Sequence, residues 1–325
     1  MNISVVVCTF NRCRLLPNAL ESVAASTLPE STEWEVLVVD NRSNDQTPAV
    51  VQEFCRRYPG RFRYLFESQP GKSYALNHGI REARGDVVAF IDDDVVVERT
   101  WLQSLTGMLS NKAWAGAGGR ILLEQSASLP SWIPSDHRHA LAPLGFFSPD
   151  IEAGPLNEAP FGGNMAYPKW VFEKYGGFRT DLGPVPGSNG PQKSEDNEFG
   201  HRLLAAGERL RYEPSATVYH TLQPDRAHNK QYFLGWWYDK ARADIRAFGI
   251  PKDTRSFFLG IPVYLFRRTM VWTIRWMVRT NPADRFAAKL KVWTRVGEIL
   301  ECYRMAHGRR SIEPADGIVR SARSD

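Results

Sequence analysis

Three consecutive aspartates, at residues 92–94, follow directly after an apolar run at residues 87–91. Such a run indicates a buried strand, and side chains two positions apart on a strand point the same way, which would set Asp92 beside Asp94. Neighbouring carboxylates repel each other unless a cation neutralises them. Hard oxygen ligands combined with a diphosphate suit Mg²⁺ or Mn²⁺. We therefore interpret the triplet as a metal and diphosphate site with Asp94 on the metal. The alternative is a solvated turn that ends the strand.

A second pair of carboxylates, Glu195 and Asp196, opens a segment with helical spacing at residues 194–206. A single carboxylate in this position can accept a proton from an incoming hydroxyl group, which makes Asp196 a candidate general base. Acids at the start of a helix also complement the helix dipole, and by position alone that interpretation is the simpler one.

The elements that must position these residues begin with two further Val- and Ile-rich runs, at residues 3–8 and 35–39, each followed by polar residues. Helical patterns at 15–25, 47–58 and 74–83 separate the runs. Continuous apolar strands alternating with helices predict a parallel sheet buried on both faces. Ligands of such sheets bind beyond the carboxyl ends of the strands, so we expect the polar clusters to meet in one crevice.

Asp40 stands at the tip of the second run and can accept a hydrogen bond from a nucleoside base or a ribose hydroxyl group, although aspartate here is also a common turn cap. Lys72 lies in a Gly-Lys-Ser sequence that resembles the end of a phosphate-binding loop. Such a loop requires a further glycine five residues before Gly71, but that position is Phe66. No G-x-G-x-x-G follows the first strand either. Kinase-like, P-loop and dinucleotide-dependent functions therefore lose their strongest support.

The 325 residues are 43% hydrophobic and 24% charged, which is typical of a folded globular protein. The four cysteines lack metal-binding spacing, and we expect reduced thiols and a cytoplasmic protein. The N-terminal apolar run is too short for a secretion signal, and no apolar stretch reaches the roughly 18–20 residues of a spanning helix.

The net charge of +5 is unevenly distributed along the chain. Residues 1–222 carry 21 basic and 26 acidic side chains, whereas residues 223–325 carry 20 and 10. Within the basic part, Pro262 and Asn281 delimit a predicted amphipathic helix with arginines on one face and apolar side chains on the opposite one. This helix either lies on an anionic membrane through residues 257–280 or packs on the rest of the protein with its arginines in water. The acidic crevice and the absence of a recognition motif argue against nucleic-acid binding.

Several motifs in sequence order resemble the family 2 glycosyltransferases of the GT-A fold. In the first half they are VVVCTFNR at residues 5–12, VDNRSNDQT at 39–47, GKSYALNHG at 71–79, and GD at 85–86 leading into FIDDD at 90–94. In the second half they are GGNMA at 162–166, GGF at 176–178, ED at 195–196 with Arg202, and PSATVYH at 214–220. The likeness covers roughly residues 3–222.

The resemblance implies a mostly parallel central sheet with helices on both faces, followed by a C-terminal helical extension. It implies an inverting enzyme that moves a sugar from a nucleoside-diphosphate sugar, with a UDP-sugar favoured, to a hydroxyl acceptor. Asp196 would be the catalytic base, and Asp94 and His220 would hold Mn²⁺ or Mg²⁺. The donor would contact Thr9, Asn11, Arg12, Asp40, Asn41, Ser43, Asp45, Lys72, Asn77, Asp92 and Asp93. The acceptor would contact Gly163, Asn164, Glu195 and Arg202.

We expect a catalytic domain at residues 1–222, with a donor half at about 1–106 and an acceptor half at about 107–222, and a basic helical region at 223–325. From residue 107 to 190 the weak periodicity predicts loops and short elements. The expected partners are a nucleotide sugar and a glycan or lipid-linked acceptor of cell-envelope synthesis, with no nucleic acid. The protein would be cytoplasmic and peripheral on the cytosolic face of a membrane. Two alternatives are a nucleotidyltransferase and a non-catalytic sugar-nucleotide-binding protein associated with a membrane.

Overall fold

The computed structural model describes residues 2–28, 32–109, 113–124, 129–133, 138–187 and 193–308. The strands are β1 (Ile3–Thr9), β2 (Trp34–Asp40), β3 (Phe62–Phe66), β4 (Val87–Asp92), β5 (Val95–Val97), β6 (Gly116–Leu123), β7 (Gly154–Leu156), β8 (Asn164–Pro168), β9 (Leu210–His220), β10 (Phe257–Phe258) and β11 (Ile261–Pro262). The helices are α1 (Leu16–Ala24), α2 (Thr47–Arg57), α3 (Lys72–Glu82), α4 (Trp101–Leu109), α5 (Arg138–Leu141), α6 (Lys169–Tyr175), α7 (Glu195–Ala205), α8 (Pro224–Ala227), α9 (Lys230–Phe248), α10 (Val263–Val278) and α11 (Pro282–His307).

The central sheet has the strand order β3-β2-β1-β4-β8-β6-β9-β5, and β7 adds to β9. The first four strands in space are parallel, whereas β8 is antiparallel to both of its neighbours. Helices cover both sides of this mostly parallel sheet. The fold is therefore the α/β class that the three early Val-rich runs predict, with a helical C-terminal region.

The strand register places the polar strand ends at one edge. Thr9 at the end of β1 is paired with Asp40 at the end of β2, and Cys8 is paired with Asp92 at the end of β4. These three strands are almost completely buried, because their Val and Ile side chains pack against helices on both faces. The polar ends of these strands therefore lie at one edge of the sheet, as predicted.

Two central strands, β6 and β8, lie in the part of the chain where we expected loops and short elements. The apolar pattern of β6 is weak because its first residues are Gly, Ala and two further glycines. A Cβ on Gly116 would lie 2.4 Å from the ring of Tyr167, and one on Gly119 would lie 2.0 Å from the Ala216 carbonyl oxygen. Close packing thus requires glycine at these positions of β6, and glycines interrupt the apolar pattern by which a strand is recognised in a sequence.

The C-terminal helices form a second packed layer. Helix α11 packs along both α9 and α10, and Arg242 of α9 makes a buried ion pair of 3.0 Å with Glu301 of α11. A separate apolar cluster joins Phe233 and Phe286 from these helices to Ile133 and Leu144 from the preceding part of the chain. Residues 223–308 are therefore joined to the sheet domain through a shared core.

Candidate active site

A cavity of about 770 Å³ opens at the edge where β1 and β4 end. Its walls come from these strand ends, from the start of α3 and α7, from the end of β9 and from α9. The predicted residues that line it are Thr9, Arg12, Asn41, Lys72, Asp92, Asp93, Asp94, Gly163, Glu195, Asp196 and His220. Residues more than 200 positions apart in the sequence thus share one site.

The three aspartates of the triplet have different partners. Strand β4 ends at Asp92, whose Oδ1 accepts a 2.7 Å hydrogen bond from Lys72 Nζ. Asp93 and Asp94 form the turn into β5, so the strand alternation that we expected for Asp92 and Asp94 stops before it reaches Asp94. Arg12 lies 3.9 Å from each of these two carboxylates. Burial and the charge of Asp94 raise the pKa of Asp93 to about 7.

Asp94 and His220 form a buried pair in which Nε2 lies 3.2 Å from Oδ1. The pairing of Val95 in β5 with His220 in β9 brings them together. Burial raises the pKa of Asp94, but the hydrogen bond and charge of His220 outweigh burial and lower this pKa to about 2. No group of three His, Cys, Asp or Glu side chains among the described residues is arranged to hold a metal ion. A carboxylate and an imidazole still suit Mn²⁺, provided that substrate or water supplies the remaining ligands.

The carboxylates at the start of α7 face the cavity from the opposite side. Asp196 accepts 2.7 Å hydrogen bonds from the peptide N–H groups of Gly162 and Asn197, which fix its orientation. Glu195 is buried, and burial together with the charge of Asp196 raises its pKa to about 7. Lys72 Nζ lies 3.7 Å from Glu195 Oε1, so one ammonium group bridges Asp92 at the end of β4 and Glu195 at the start of α7.

Lys72 keeps its charge in this half-buried position. Burial lowers its pKa, but the charges of Asp92 and Glu195 outweigh burial and raise the pKa well above the usual value. Its backbone N–H also bonds to the carbonyl of Pro184, and Ser73 Oγ bonds to the carbonyl of Leu182. The start of α3 is therefore tied to the loop that precedes α7.

Some of the predicted donor residues organise the loops behind the cavity. Asp40 is fully buried and accepts hydrogen bonds of 2.8 Å from the Ser43 N–H and from the hydroxyl group of Tyr64. Asn41 lines the cavity and binds the backbone on both sides, donating to Gln69 and accepting from Gly71. These bonds fix the polar end of β2 against β3 and against the loop that follows β3.

A further network joins the loop after β1 to the loop after β2. Asn11, with φ of 54°, accepts a 2.8 Å hydrogen bond from Asn44 N–H, and its own N–H donates to Ser43 Oγ. Asp45 accepts from the N–H groups of Cys13 and Thr47, and although burial raises the pKa of Asp45, these hydrogen bonds lower it to about 2. The predicted residues Asn11, Ser43 and Asp45 therefore lie together but outside the cavity lining.

Three predicted contacts need correction because hydrogen bonds within the protein occupy the side chains. Asn164, expected on the acceptor side, is fully buried, accepts from Trp101 Nε1 and donates to the carbonyls of Arg120 and Ala216. Asn77, expected on the donor, bonds both backbone groups of Phe178. Arg202, also expected on the acceptor, pairs with Glu198 and bonds the carbonyls of Tyr175 and Gly177. Asn164 and Arg202 hold the sheet and α7 in place, and Asn77 ties α3 to the loop that follows α6.

One wall of the cavity comes from residues that sequence reasoning did not select. Tyr232, Trp236 and Lys240 stand one turn apart on α9 and line the cavity together, as do Lys193 and Arg226. Lys193 Nζ lies 5.1 Å from the centre of the Trp236 ring. The i, i+4, i+8 spacing of the three α9 residues was the available signal, but an aromatic helix face is equally typical of a packed core.

The sequence is similar to those of known proteins. The sequence model described as "Glycosyl transferase family 2" matches residues 4–176. A glucosyl-dolichyl phosphate glucuronosyltransferase of Haloferax volcanii is 30% identical over 227 residues, which is 68% of this chain and 70% of that protein. The succinoglycan biosynthesis protein ExoM of Rhizobium meliloti is 26% identical over 227 residues, 70% of this chain and 69% of that protein.

Two solved structures share the fold. The mannosyltransferase PcManGT from Pyrobaculum calidifontis, in complex with GDP-Man and Mn²⁺, superposes with a TM-score of 0.57 at 20% identity, covering 94% of this chain and 76% of that one. S. aureus TarS 1–349 superposes with a TM-score of 0.51 at 16% identity, covering 94% of this chain and 90% of that one.

Proposed function

The chain belongs to glycosyl transferase family 2, and from that membership we propose that it transfers a sugar from a nucleoside-diphosphate sugar to a hydroxyl acceptor with inversion at the anomeric carbon. That it is a glycosyltransferase follows from the family. The observation that carries the proposed mechanism is the placement of Asp196 in the same cavity as the acidic triplet and His220.

The transfer step uses one carboxylate as base. Asp196 accepts the proton of the acceptor hydroxyl group while the oxygen of that group forms a bond to the anomeric carbon. The bond from that carbon to the diphosphate oxygen breaks, and the nucleoside diphosphate leaves with the electron pair. Attack opposite the leaving group inverts the configuration, because no covalent enzyme intermediate intervenes.

The leaving diphosphate has to be held and its charge neutralised. Asp94 and His220 would hold Mn²⁺ or Mg²⁺, which supplies Lewis-acid stabilisation of the leaving group when bound. Arg12 and Lys72 supply fixed positive charge beside the triplet. Thr9 and Asn41 line the adjoining part of the cavity, where the nucleoside would lie. A neighbour of the same fold was solved with GDP-Man and Mn²⁺, which supports the use of a divalent ion.

We propose a UDP-sugar as donor on the family resemblance, and a glycan or lipid-linked acceptor of cell-envelope polysaccharide or glycolipid synthesis. The acceptor proposal is supported by one relative that is named for a glucosyl-dolichyl phosphate acceptor and by another named for succinoglycan biosynthesis. The acceptor would enter past Gly163 and Glu195, with α9 as the opposite wall. Such an acceptor places the enzyme at the cytosolic face of a membrane, as a peripheral protein.

A donor screen tests this function. Purified protein is incubated with Mn²⁺, a panel of UDP-, GDP- and dTDP-sugars and a lipid-linked acceptor extract, and products are identified by mass spectrometry. We expect release of a nucleoside diphosphate together with a glycosylated acceptor. A parallel incubation with a nucleoside triphosphate and a sugar phosphate tests the first alternative, because release of pyrophosphate would identify a nucleotidyltransferase. Donor binding without turnover would identify a non-catalytic binding protein.

A further inference from the structure

An apolar surface projects from the C-terminal region, which we call the apolar platform. It consists of the tip of the β10–β11 hairpin and the outward face of α10, and its side chains are between 39% and 68% exposed. They are Phe257, Phe258, Leu259, Val263, Phe266, Met270, Val271, Ile274, Met277 and Val278. Contiguous exposed side chains of this size mark an interaction site rather than ordinary surface.

The packing of α10 argues against one of the two accounts of this helix, in which its apolar face packs on the rest of the protein. Leu265 is the buried residue of α10, and it packs with Ile261 and Cys302 against α11. Trp272 and Trp276 are half-buried and lie on the same side of the helix as Leu265, where Lys289 of α11 contacts the Trp276 ring. The broad apolar face therefore points away from the rest of the protein, whereas the packing alternative requires that face to be buried.

The hairpin tip keeps an apolar side chain in a backbone conformation that disfavours it. Phe258 pairs with Ile261, so Leu259 and Gly260 form a two-residue turn in which φ is 50° and 73°. Turns of this kind favour Asn-Gly, because two positive φ values strain a branched side chain. A Cβ on Gly260 would lie 2.2 Å from the Cβ of Ala306, so α11 fixes the turn. The turn thus holds an exposed leucine at its tip, 57% exposed to solvent.

Positive charge surrounds the apolar platform. Residues 255–285 contain six arginines and a single acid, Asp284, which lies 3.4 Å from Arg279. Arg267, Arg268 and Arg275 are exposed on α10 itself. The Arg275 guanidinium lies 4.7 Å from the Trp272 ring and the Lys289 ammonium lies 5.3 Å from the Trp276 ring.

We propose that the apolar platform docks the protein on a bilayer containing anionic lipid, with α10 lying in the plane of the interface. The apolar side chains enter the boundary between headgroups and acyl chains, and the arginines bind the lipid phosphates. No helix among the described residues is long and apolar enough to cross a bilayer. A second copy of this chain fits less well, because pairing two such faces brings like charges together.

Vesicle flotation tests the proposal without donor or acceptor, so its failure would leave the proposed sugar transfer intact. The full chain is mixed with vesicles of phosphatidylcholine alone or of phosphatidylcholine with phosphatidylglycerol. We expect binding to the mixed vesicles at low salt, and weaker binding when salt is raised, because the Debye length shortens to roughly 8 Å at physiological ionic strength.

Three variants locate the binding surface. A triple variant, Phe258→Ser with Met270→Ser and Met277→Ser, should lower the partition coefficient roughly a hundredfold, because it removes apolar area from the bilayer. The double change Arg267→Gln and Arg268→Gln should lower the partition coefficient roughly fivefold per arginine and make vesicle binding less dependent on salt. Ile151→Ser, at a comparably exposed apolar residue outside the platform, should bind as the unaltered protein does.

The contrary results are equally clear. The absence of binding to anionic vesicles at low salt, or unchanged binding of the triple variant, would overturn the proposal. So would a platform-dependent dimer in light scattering, because a second copy would then occupy the apolar platform.

Discussion

The peptide N–H of Gly162 donates a 2.7 Å hydrogen bond to Oδ2 of Asp196, across a separation of 34 residues. The bond ties the loop before β8 to the first turn of α7 and directs the carboxylate of the proposed base. A Cβ on Gly162 would lie 3.1 Å from the same oxygen, so little space remains for a side chain.

The first prediction uses that close approach. Gly162→Ala should shift the Asp196 carboxylate by a few tenths of an ångström and lower kcat about tenfold, because proton transfer depends strongly on geometry. The donor KM and the thermal stability should change little. Gly107→Ala is the matched control, because a Cβ there meets open space on α4. Equal kcat values for Gly162→Ala and the unaltered enzyme would show that this hydrogen bond does not position the base.

The second prediction concerns the metal pair. Chelation of divalent ions should abolish transfer and Mn²⁺ should restore it. Asp94→Asn and His220→Gln should each raise the Mn²⁺ concentration for half-maximal activity at least about tenfold, because each removes one ligand. His228→Gln is the control, since that exposed histidine lies outside the cavity. Direct Mn²⁺ binding, followed by electron paramagnetic resonance, checks the effect independently of turnover. Full activity in chelator would contradict the metal assignment.

The third prediction concerns stability and pH. The pKa of Glu195 is about 7 in the folded protein, because of burial and the charge of Asp196, against 4.5 for the unperturbed group. Between these values the folded state binds more protons than the unfolded state, so this group makes the free energy of unfolding fall as pH rises. Glu195→Gln removes the titration and should gain up to about 3 kcal/mol over the unaltered protein by pH 8.

Urea unfolding of Glu195→Gln and the unaltered protein at pH 5 and pH 8 measures this difference. The gain in stability should appear at pH 8 and be much smaller at pH 5. Activity should fall at the same time, because the substitution removes one carboxylate from the pair that Lys72 bridges. A stability difference that is the same at both pH values would contradict the raised pKa.

The fourth prediction assigns the α9 wall to the acceptor. Trp236→Ala should raise the acceptor KM about tenfold with little change in the donor KM, because a ring that stacks on a ligand contributes about 1 kcal/mol beyond its buried area. Trp170→Ala is the matched control, since that exposed tryptophan lies on α6 outside the cavity. If the donor KM rose instead, Trp236 would belong to the nucleotide-sugar site.

The sequence was sufficient to predict the strand ends that build the donor side of the site. β1, β2 and β4 are continuous Val and Ile runs, and polar residues follow each of them in register. The same reasoning missed β6, where glycines replace the apolar side chains. It also assigned Asn164 to the sugar acceptor. The side chain instead accepts a hydrogen bond from Trp101 Nε1, and a contact across 63 residues leaves no local pattern in the sequence.

The C-terminal region shows a different limit of sequence reasoning. The amphipathic pattern of α10 was visible, but a helical period cannot say which face meets the rest of the protein. Leu265 and α11 answer that question only through three-dimensional packing. Likewise, the aromatic residues of α9 become cavity residues only because α11 holds that helix against the site.

The proposed base is tested most directly by Asp196→Asn, measured with the donor that the screen identifies. Substitution by asparagine keeps the size of the side chain and removes its capacity to accept the proton. Transfer should fall by about a thousandfold, while the Kd for the donor with Mn²⁺, measured by calorimetry, should stay within about twofold. Turnover near that of the unaltered enzyme, with donor binding intact, would contradict the assignment of Asp196 as the catalytic base.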